Sequence, residues 1–457
     1  MAHFKAQWLS LWIKLIVILL YTKSALATDL MDIYQDALSH DPIFKVAFSN
    51  YMSSAEAVPQ ARAALLPQLA ISSYAGRSKA NVVGGGFATD STYNITEWQV
   101  NATQTVFNYH AWKMVSEAKA SVKAAQARFN TAAQTLMLRV TNAYLDALLA
   151  QDTLNFQEAK RRANKRQYDQ ANARFKVGLE AITSVYEAKA AFFQSSADVI
   201  AAKNNLINRN EELRKFTNHV YEYLSPLRDG RIPLVSPEPQ NIDEWVSVGL
   251  KQNYLLMAAK YAVDAARENV KLQSSDNWPV FTLKGNTQST DYLGGPSSIF
   301  VPNHFDTTSI TINVNFPVYQ GGLVASKTRQ AKYKFQSKTE LLERVYRDVV
   351  VDSRISYNSI IDGISKVKAD RQTVVSRINQ VTSTSAQFEA GTRTMVDVTN
   401  AQQRLFESQV ELAKDQYSLI KSQLKLKFLA GSLNANDLEE INAWLATTRI
   451  NHFPHTY

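Results

Sequence analysis

No proline occurs between Pro67 and Pro226, and no glycine between Gly86 and Gly178. The strongest breakers of regular structure are therefore missing from a very long stretch, which favours extended, uninterrupted helices over a compact globule. From about Tyr109 to Val177 nothing would stop a helix, and at 1.5 Å per residue such a helix is roughly 100 Å long. Its apolar positions Val115, Ala118, Val122, Ala125, Phe129, Ala132 and Leu136 step by three and four, the spacing of a coiled coil. Many are alanine, so partner helices can approach closely. A returning helix, about Ile182 to Phe216, carries Val185, Phe192, Val199, Leu206 and Leu213 every seven residues.

The chain also repeats itself. Displaced by 212 residues, Leu38 falls on Leu250, Ala47 on Ala259, Val58 on Val270, Pro67 on Pro279, Val100 on Ile312 and Val106 on Val318. After a shift to 213, Phe175 meets Phe388, Gly178 meets Gly391 and Val185 meets Val398. Phe192, Val199, Leu206 and Leu213 then fall on Leu405, Leu412, Leu419 and Leu426. Nothing recurs at the short periods of a solenoid, so one unit has been duplicated. Pro226, Pro233, Pro237 and Pro239 mark the joint, which can be neither helix nor central strand. In the second returning helix, Phe406, Ala413 and Ile420 form a stripe beside the leucines. Two stripes require two neighbours, as in the wall of a helical barrel.

Each unit opens with a helical pattern, about 29 to 62 in the first, and Pro67 marks the change to a strand. Gln68 to Val83 leads into Gly84-Gly85-Gly86, a hairpin signal, and Tyr93 to Phe107 returns. In the second unit Val280 to Tyr292 leads to Gly294-Gly295-Pro296, and Phe305 to Tyr319 returns. Ile310, Ile312, Val314 and Phe316 alternate with Ser309, Thr311, Asn313 and Asn315; Trp98, Val100 and Ala102 alternate with Gln99, Asn101 and Thr103. One face is apolar and the other polar but uncharged. A half-buried sheet in water gives the same pattern. Strands of about ten residues or more are long enough to cross a bilayer when tilted, and Trp112 and Trp278 stand near strand ends, where interfacial girdles form. Those features favour a membrane barrel. Four strands cannot close one, and open edges are not tolerated in lipid, so the chain is expected to oligomerise, with three or more copies for an open pore.

Composition narrows the functions. The chain has no cysteine, which removes disulfides, thiolate metal sites and a lipid-modified cysteine anchor together. Lys5 and Lys14, the apolar run Leu15 to Leu20 and Ala25-Leu26-Ala27 read as a secretory signal, with a membrane anchor as the alternative. Cleavage near Thr28 takes three lysines and no acid, so net charge falls from +9 to +6. The basic cluster Lys160, Arg161, Arg162, Lys165 and Arg166 reads as a solvated helix face, not a nucleic-acid site. The seven histidines are scattered, and neither a His-Glu-x-x-His, a Gly-x-Ser-x-Gly nor a phosphate loop occurs. No enzyme, cofactor or metal is expected. The chain divides into signal peptide (1–27), first repeat (28–225), proline-rich linker (226–240), second repeat (241–430) and C-terminal segment (431–457).

Four motifs, in order, carry a specific resemblance. Arg174-Phe175-Lys176-Val177-Gly178-Leu179-Glu180-Ala181-Ile182-Thr183 and Gly391-Thr392-Arg393-Thr394-Met395-Val396-Asp397-Val398 resemble the two helix-turn tips of the TolC family. Leu65-Leu66-Pro67-Gln68-Leu69 and Pro317-Val318-Tyr319-Gln320-Gly321-Gly322 resemble its helix-to-strand and strand-to-helix junctions. The resemblance covers essentially the whole mature chain. It implies an α+β membrane protein with internal duplication: a homotrimer whose twelve strands, four per chain, form an outer-membrane β-barrel in lipid, continued by a long periplasmic α-helical barrel with coiled-coil tips. It implies a Gram-negative outer-membrane location and a passive exit duct for tripartite drug efflux, type I protein secretion or both. The implied partners are a periplasmic adaptor (membrane fusion) protein and an inner-membrane RND, ABC or MFS transporter. A periplasmic coiled-coil scaffold without a channel is the rival reading.

The resemblance also points to site residues. Gly178, Leu179, Gly391 and Thr392 stand at the tips that would dock an adaptor. Thr183 and Arg393 match the family's latch threonine and arginine, whereas Ser184 replaces a usual aspartate and Phe388 a usual tyrosine. Asp397 matches one ring of entrance aspartates and Asn400 replaces the second. Phenylalanine lacks the hydroxyl hydrogen bond and serine offers Arg393 a neutral acceptor, so a looser or differently wired latch is expected, with Glu180 or Glu389 as substitute partners for Arg393. One acidic ring in place of two implies weaker cation selectivity.

Overall fold

The computed structural model describes residues 27–84, 87–221, 223–230, 232–293 and 304–446. The signal sequence up to residue 26, Gly85-Gly86, Gly294-Gly295-Pro296 and residues 447–457 of the C-terminal segment lie outside the described residues. In chain order the elements are α1 (Leu30–His40), α2 (Pro42–Ala55), α3 (Ala57–Ala63), β1 (Gln68–Gly84), β2 (Phe87–Asn108), α4 (Tyr109–Lys176) and α5 (Ile182–Thr217). After the linker come α6 (Ile242–Gln252), α7 (Tyr254–Ser274), β3 (Val280–Leu293), β4 (His304–Asn315), α8 (Leu323–Glu389), α9 (Met395–Ala430) and α10 (Ala435–Ala443).

The duplication reappears as geometry. Leu30 and Ile242 open helices of 11 residues each, and Ile182 and Met395 open helices of 36 residues each. The long helices α4 and α8 have 68 and 67 residues. The first helical pattern is broken where a single helix was expected. Asp41 leaves α1 in extended backbone and its carboxylate caps Phe44 N (2.7 Å), with Pro42 as the first residue of α2. Strand β4 ends at Asn315 and not at Tyr319, because Pro317 lacks the N–H that would continue it.

The chain forms two compact units that cut across the repeats, since α4 and α8 each run from one into the other. The first comprises residues 48–129 and 254–347 and holds the sheet. Its four strands pair antiparallel in the order β1-β2-β3-β4. The registers Ile71↔Val100, Val100↔Thr287, Leu283↔Ile312 and Gly285↔Ile310 bring the alternating apolar residues to one face. There Leu69, Ile71, Ile310 and Ile312 remain about 70 % or more exposed (70, 74, 77 and 72 %). The opposite face pairs polar residues, as where Asn286 Nδ2 donates to Asn101 Oδ1 (2.8 Å). Strands β1 and β4 each keep one edge unpaired among the described residues. At the strand–helix junction Phe107 packs edge-on against Trp112 (5.2 Å) and Phe281 (5.9 Å), and Tyr109 lies tilted against Trp278 (4.7 Å).

The second unit takes in, of the described residues, 27–47, 130–253 and 348–446. Its core gathers Leu30 and Ile33 of α1, Leu136, Val140 and Tyr144 of α4, Leu213 of α5, Ile360 of α8, and Leu419 and Ile420 of α9. Tyr144, fully buried, donates its hydroxyl to Ser225 O (2.8 Å), fixing the chain just before the linker. Gly431 ends α9 at φ +73°, and a Cβ there would lie 2.3 Å from Gln252 O, so no other residue fits.

Helix α9 is held on both flanks, as its two stripes require. Toward α4, Tyr417 Oη donates to Asp152 Oδ2 (2.7 Å) and Lys421 pairs with Asp146. Toward α8, Lys366 Nζ reaches Asp415 (2.9 Å) and Glu411 (3.3 Å), and Lys414 shares Glu411 (3.2 Å). Asp370 joins this group from α8 with its Oδ2 buried and unpartnered, while neighbouring Arg371 donates to Ile232 O (2.9 Å). Loss of surrounding water raises both carboxyls: Asp152 is pushed up to about 6, against the lowering effect of the Tyr417 hydrogen bond, and Asp370 is raised further by Asp415 beside it.

A carboxyl raised in the folded state stabilises by holding its proton. That contribution is complete below the ordinary aspartate value, about 4, and is lost as pH rises through the folded value. Helical melts of the purified protein should therefore show a lower midpoint at pH 8 than at pH 5. Asp152→Asn and Asp370→Asn should each raise the pH 8 midpoint and together flatten the difference. A steeper pH dependence in the double variant would contradict this assignment.

Candidate functional site

Both helix hairpins of the second unit turn in the same way. Gly178 (φ +75°) and Gly391 (φ +79°) adopt the left-handed conformation that a side chain resists, and the residue after each closes the turn: Leu179 N donates to Arg174 O (2.9 Å) and Thr392 N to Gln387 O (2.9 Å). Leu179 and Val177 stand 72 and 68 % exposed, so the first tip ends in an apolar knob.

The returning helices start differently. Helix α9 begins with a capping box: Thr394 Oγ1 accepts from Asp397 N (3.3 Å), and Asp397 Oδ2 accepts from Thr394 N (3.0 Å) and from Thr394 Oγ1 (2.9 Å). Those hydrogen bonds, with Arg393 as the lesser contributor, hold the Asp397 carboxyl below the usual carboxylate range. At the repeat-equivalent positions α5 has Ala181 and Ser184, and no side chain caps it. Thr394-x-x-Asp397 is a pattern that the sequence alone displays, and it is the part of the site that the sequence reading missed.

The expected latch residues separate into two groups. Phe388 is half-buried beside Ala171, Val185, Ala188, Met395 and Tyr168, with the Arg174 guanidinium 5.2 Å from its ring centre. Where the family pattern has a hydroxyl, this tip has an apolar and cation–π contact. Arg393 turns to its own hairpin, reaching Gln387 Oε1 (3.3 Å) and Asp397 Oδ1 (4.0 Å). Within one chain its partners are thus Asp397 and Gln387, not Ser184, Glu180 or Glu389. Thr183 and Asn400 are exposed and Ser184 half-exposed. Along the α4–α5 hairpin the basic cluster is largely paired, Lys160 with Asp198 (3.0 Å) and Lys165 with Asp169 (2.6 Å).

The sequence profile of the family described as "Outer membrane efflux protein" matches residues 33–219 and again 245–432, one match per repeat. The chain is 32 % identical over 423 residues to outer membrane protein TolC of Escherichia coli, covering 91 % of this chain and 85 % of that protein. It is 29 % identical over 438 residues to the alkaline protease secretion protein AprF of Pseudomonas aeruginosa, covering 94 and 90 %. The crystal structure of the outer membrane protein VceC from Vibrio cholerae superposes with a TM-score of 0.75 at 18 % identity, over 88 % of this chain and 96 % of that one.

The unequal caps have a measurable consequence. Thr394→Ala should cost about 1 kcal/mol of local stability at the start of α9, read as roughly fivefold faster amide exchange at Val396 to Val398. Ala181→Thr with Ser184→Asp should transplant the box and slow exchange in the first turn of α5 by a similar factor. Equal exchange in both wild-type tips would refute the asymmetry.

Proposed function

The chain belongs to the outer membrane efflux protein family, and on that premise we propose that three copies form a passive exit duct, gated at the hairpin tips and opened by partner proteins. The observation that carries this is the four-stranded sheet with an exposed apolar face and two unpaired edges. In lipid, unpaired backbone groups cost several kcal/mol each, so the edges must meet other strands. Three copies supply twelve, enough for an open lumen. A second feature agrees: Tyr186, Phe193, Ile200 and Ile207 of α5 form an exposed stripe at heptad spacing (63, 59, 72 and 51 %), the pattern of a helix awaiting another helix.

The duct has no energy source of its own, since the sequence contains no phosphate-binding loop. An adaptor and an inner-membrane RND, ABC or MFS transporter would supply it, the adaptor docking at Gly178, Leu179, Gly391 and Thr392. Thr183, Ser184, Phe388 and Arg393 form the proposed latch. Arg393 and Phe388 restrain the second hairpin through Gln387, Asp397 and the apolar tip cluster, a wiring that survives the loss of the family's tyrosine and aspartate. Asp397 supplies the single acidic ring of the entrance, Asn400 standing where a second would be.

Membrane fractionation tests the assembly: a detergent-requiring, heat-modifiable trimer is expected, and a soluble monomer would favour a periplasmic scaffold. In planar bilayers Arg393→Ser should raise single-channel conductance, and a pore no more open than wild type rejects the latch. Asn400→Asp, which leaves the Thr394–Asp397 cap intact, should strengthen cation selectivity and block by multivalent cations. Unchanged block would remove Asp397 and Asn400 from the entrance.

A further inference from the structure

The sheet-bearing unit also contains a cavity of about 780 Å³, within the size range of small-molecule sites. Its floor is made of alanines: Ala57 of α3, Ala124 and Ala125 of α4, and Ala262, Ala265 and Ala266 of α7. Short side chains on three helices leave apolar surface open where larger ones would have filled it. Polar groups line its flanks, among them Ser121, Asn269 and Gln330, and Tyr333, 71 % exposed, offers an aromatic face.

The charge around this floor is one-sided. Arg128 enters from α4, and Lys334 and Lys338 from α8, one turn apart. The single acid in the lining, Glu117, already accepts a hydrogen bond from Ser121 (3.0 Å). Several other cations of the same unit have partners: Lys113 and Lys271 meet Glu268, Arg267 meets Asp264 (3.1 Å) and Lys327 meets Asp276 (3.5 Å). Among the described residues the three cavity cations have none. Like charges one helical turn apart repel, and an anion between Lys334 and Lys338 relieves that repulsion.

We propose that this cavity binds an anionic amphiphile, its apolar body on the alanine floor and its acidic group among Arg128, Lys334 and Lys338. An uncharged apolar ligand would gain only the floor, and a small inorganic anion only the cations. Both parts are needed for affinity. The proposal rests on this unit alone and holds whether or not the assembled protein conducts.

The test uses the full-length protein in lipid nanodiscs, with empty discs subtracted. Two fluorescent probes share one ring system: 8-anilinonaphthalene-1-sulfonate carries a sulfonate and N-phenyl-1-naphthylamine is uncharged. The sulfonate probe should bind saturably, and more weakly as salt is raised. Replacing Arg128, Lys334 and Lys338 together by Gln should weaken it roughly tenfold or more and leave the uncharged probe unchanged. Ala266→Phe, which fills the floor and keeps the charges, should weaken both. Wild-type affinity for the sulfonate probe in either variant overturns the proposal, as does equal loss of both probes in the Gln variant. Loss of the heat-resistant oligomer in the Gln variant would mark the cavity as a contact between copies and overturn it too. Single-channel conductance of the same variants keeps this outcome separate from failure of the export reading.

Discussion

Everything distinctive about this chain follows from backbone groups that it cannot satisfy by itself. Strands β1 and β4 border the sheet, and among the described residues each leaves a row of N–H and C=O groups without a partner. In water such edges are hydrated at small cost, but the sheet also presents Leu69, Ile71, Ile310 and Ile312 outward from one face. A surface that apolar prefers lipid, and lipid offers the edges nothing. The two demands are met together only by further strands. On the proposed reading the sheet is a segment of a larger closed structure, and the helices continuing from its strands inherit whatever symmetry closes it.

Duplication supplies the number of strands, and its imperfections supply the chemistry. The matched lengths of α1 and α6, and of α5 and α9, show how closely the repeats still agree. They part at the tips. One returning helix starts with a reciprocal cap between Thr394 and Asp397, whereas the other starts at Ala181 with its first N–H groups uncapped by any side chain. A capped helix end resists fraying and an uncapped one does not. Two turns with the same backbone path thus differ in local stability through two side chains each.

The long elements were legible in the sequence because their signals are local and repeated. The absence of Pro and Gly delimits the C-terminal end of α4 to within a residue, and the offset of 212, then 213, carries the starts of α1 and β1 and both ends of α5 onto those of α6, β3 and α9. Strand register was not legible, since it depends on which partners pair; only the alternations of Ile310, Ile312 and Val314 and of Trp98, Val100 and Ala102 could be read. The break at Asp41 was missed because Pro42 is as acceptable at the first turn of a helix as it is disruptive inside one. At the tips, the residues of the site were identified but not their partners. Arg393 could have reached Ser184, Glu180 or Glu389, and only the path of the turn selects Asp397 and Gln387.

Helix α9 carries two electrostatic devices that titrate on opposite sides of the ordinary carboxylate range. At its N-terminus Asp397 is held ionised by the cap, so that contact weakens only when pH falls below the ordinary carboxylate range. Midway along, Asp152 and Asp370 hold protons above that range, so keeping those carboxyls buried becomes costlier as pH rises. Mild acid therefore tightens the middle of α9 against α4 and α8 while leaving the cap intact. Between about pH 4 and pH 6 both are favourable at once, and α9 is then anchored at its tip and along its length. Above that window the cap alone keeps its full strength.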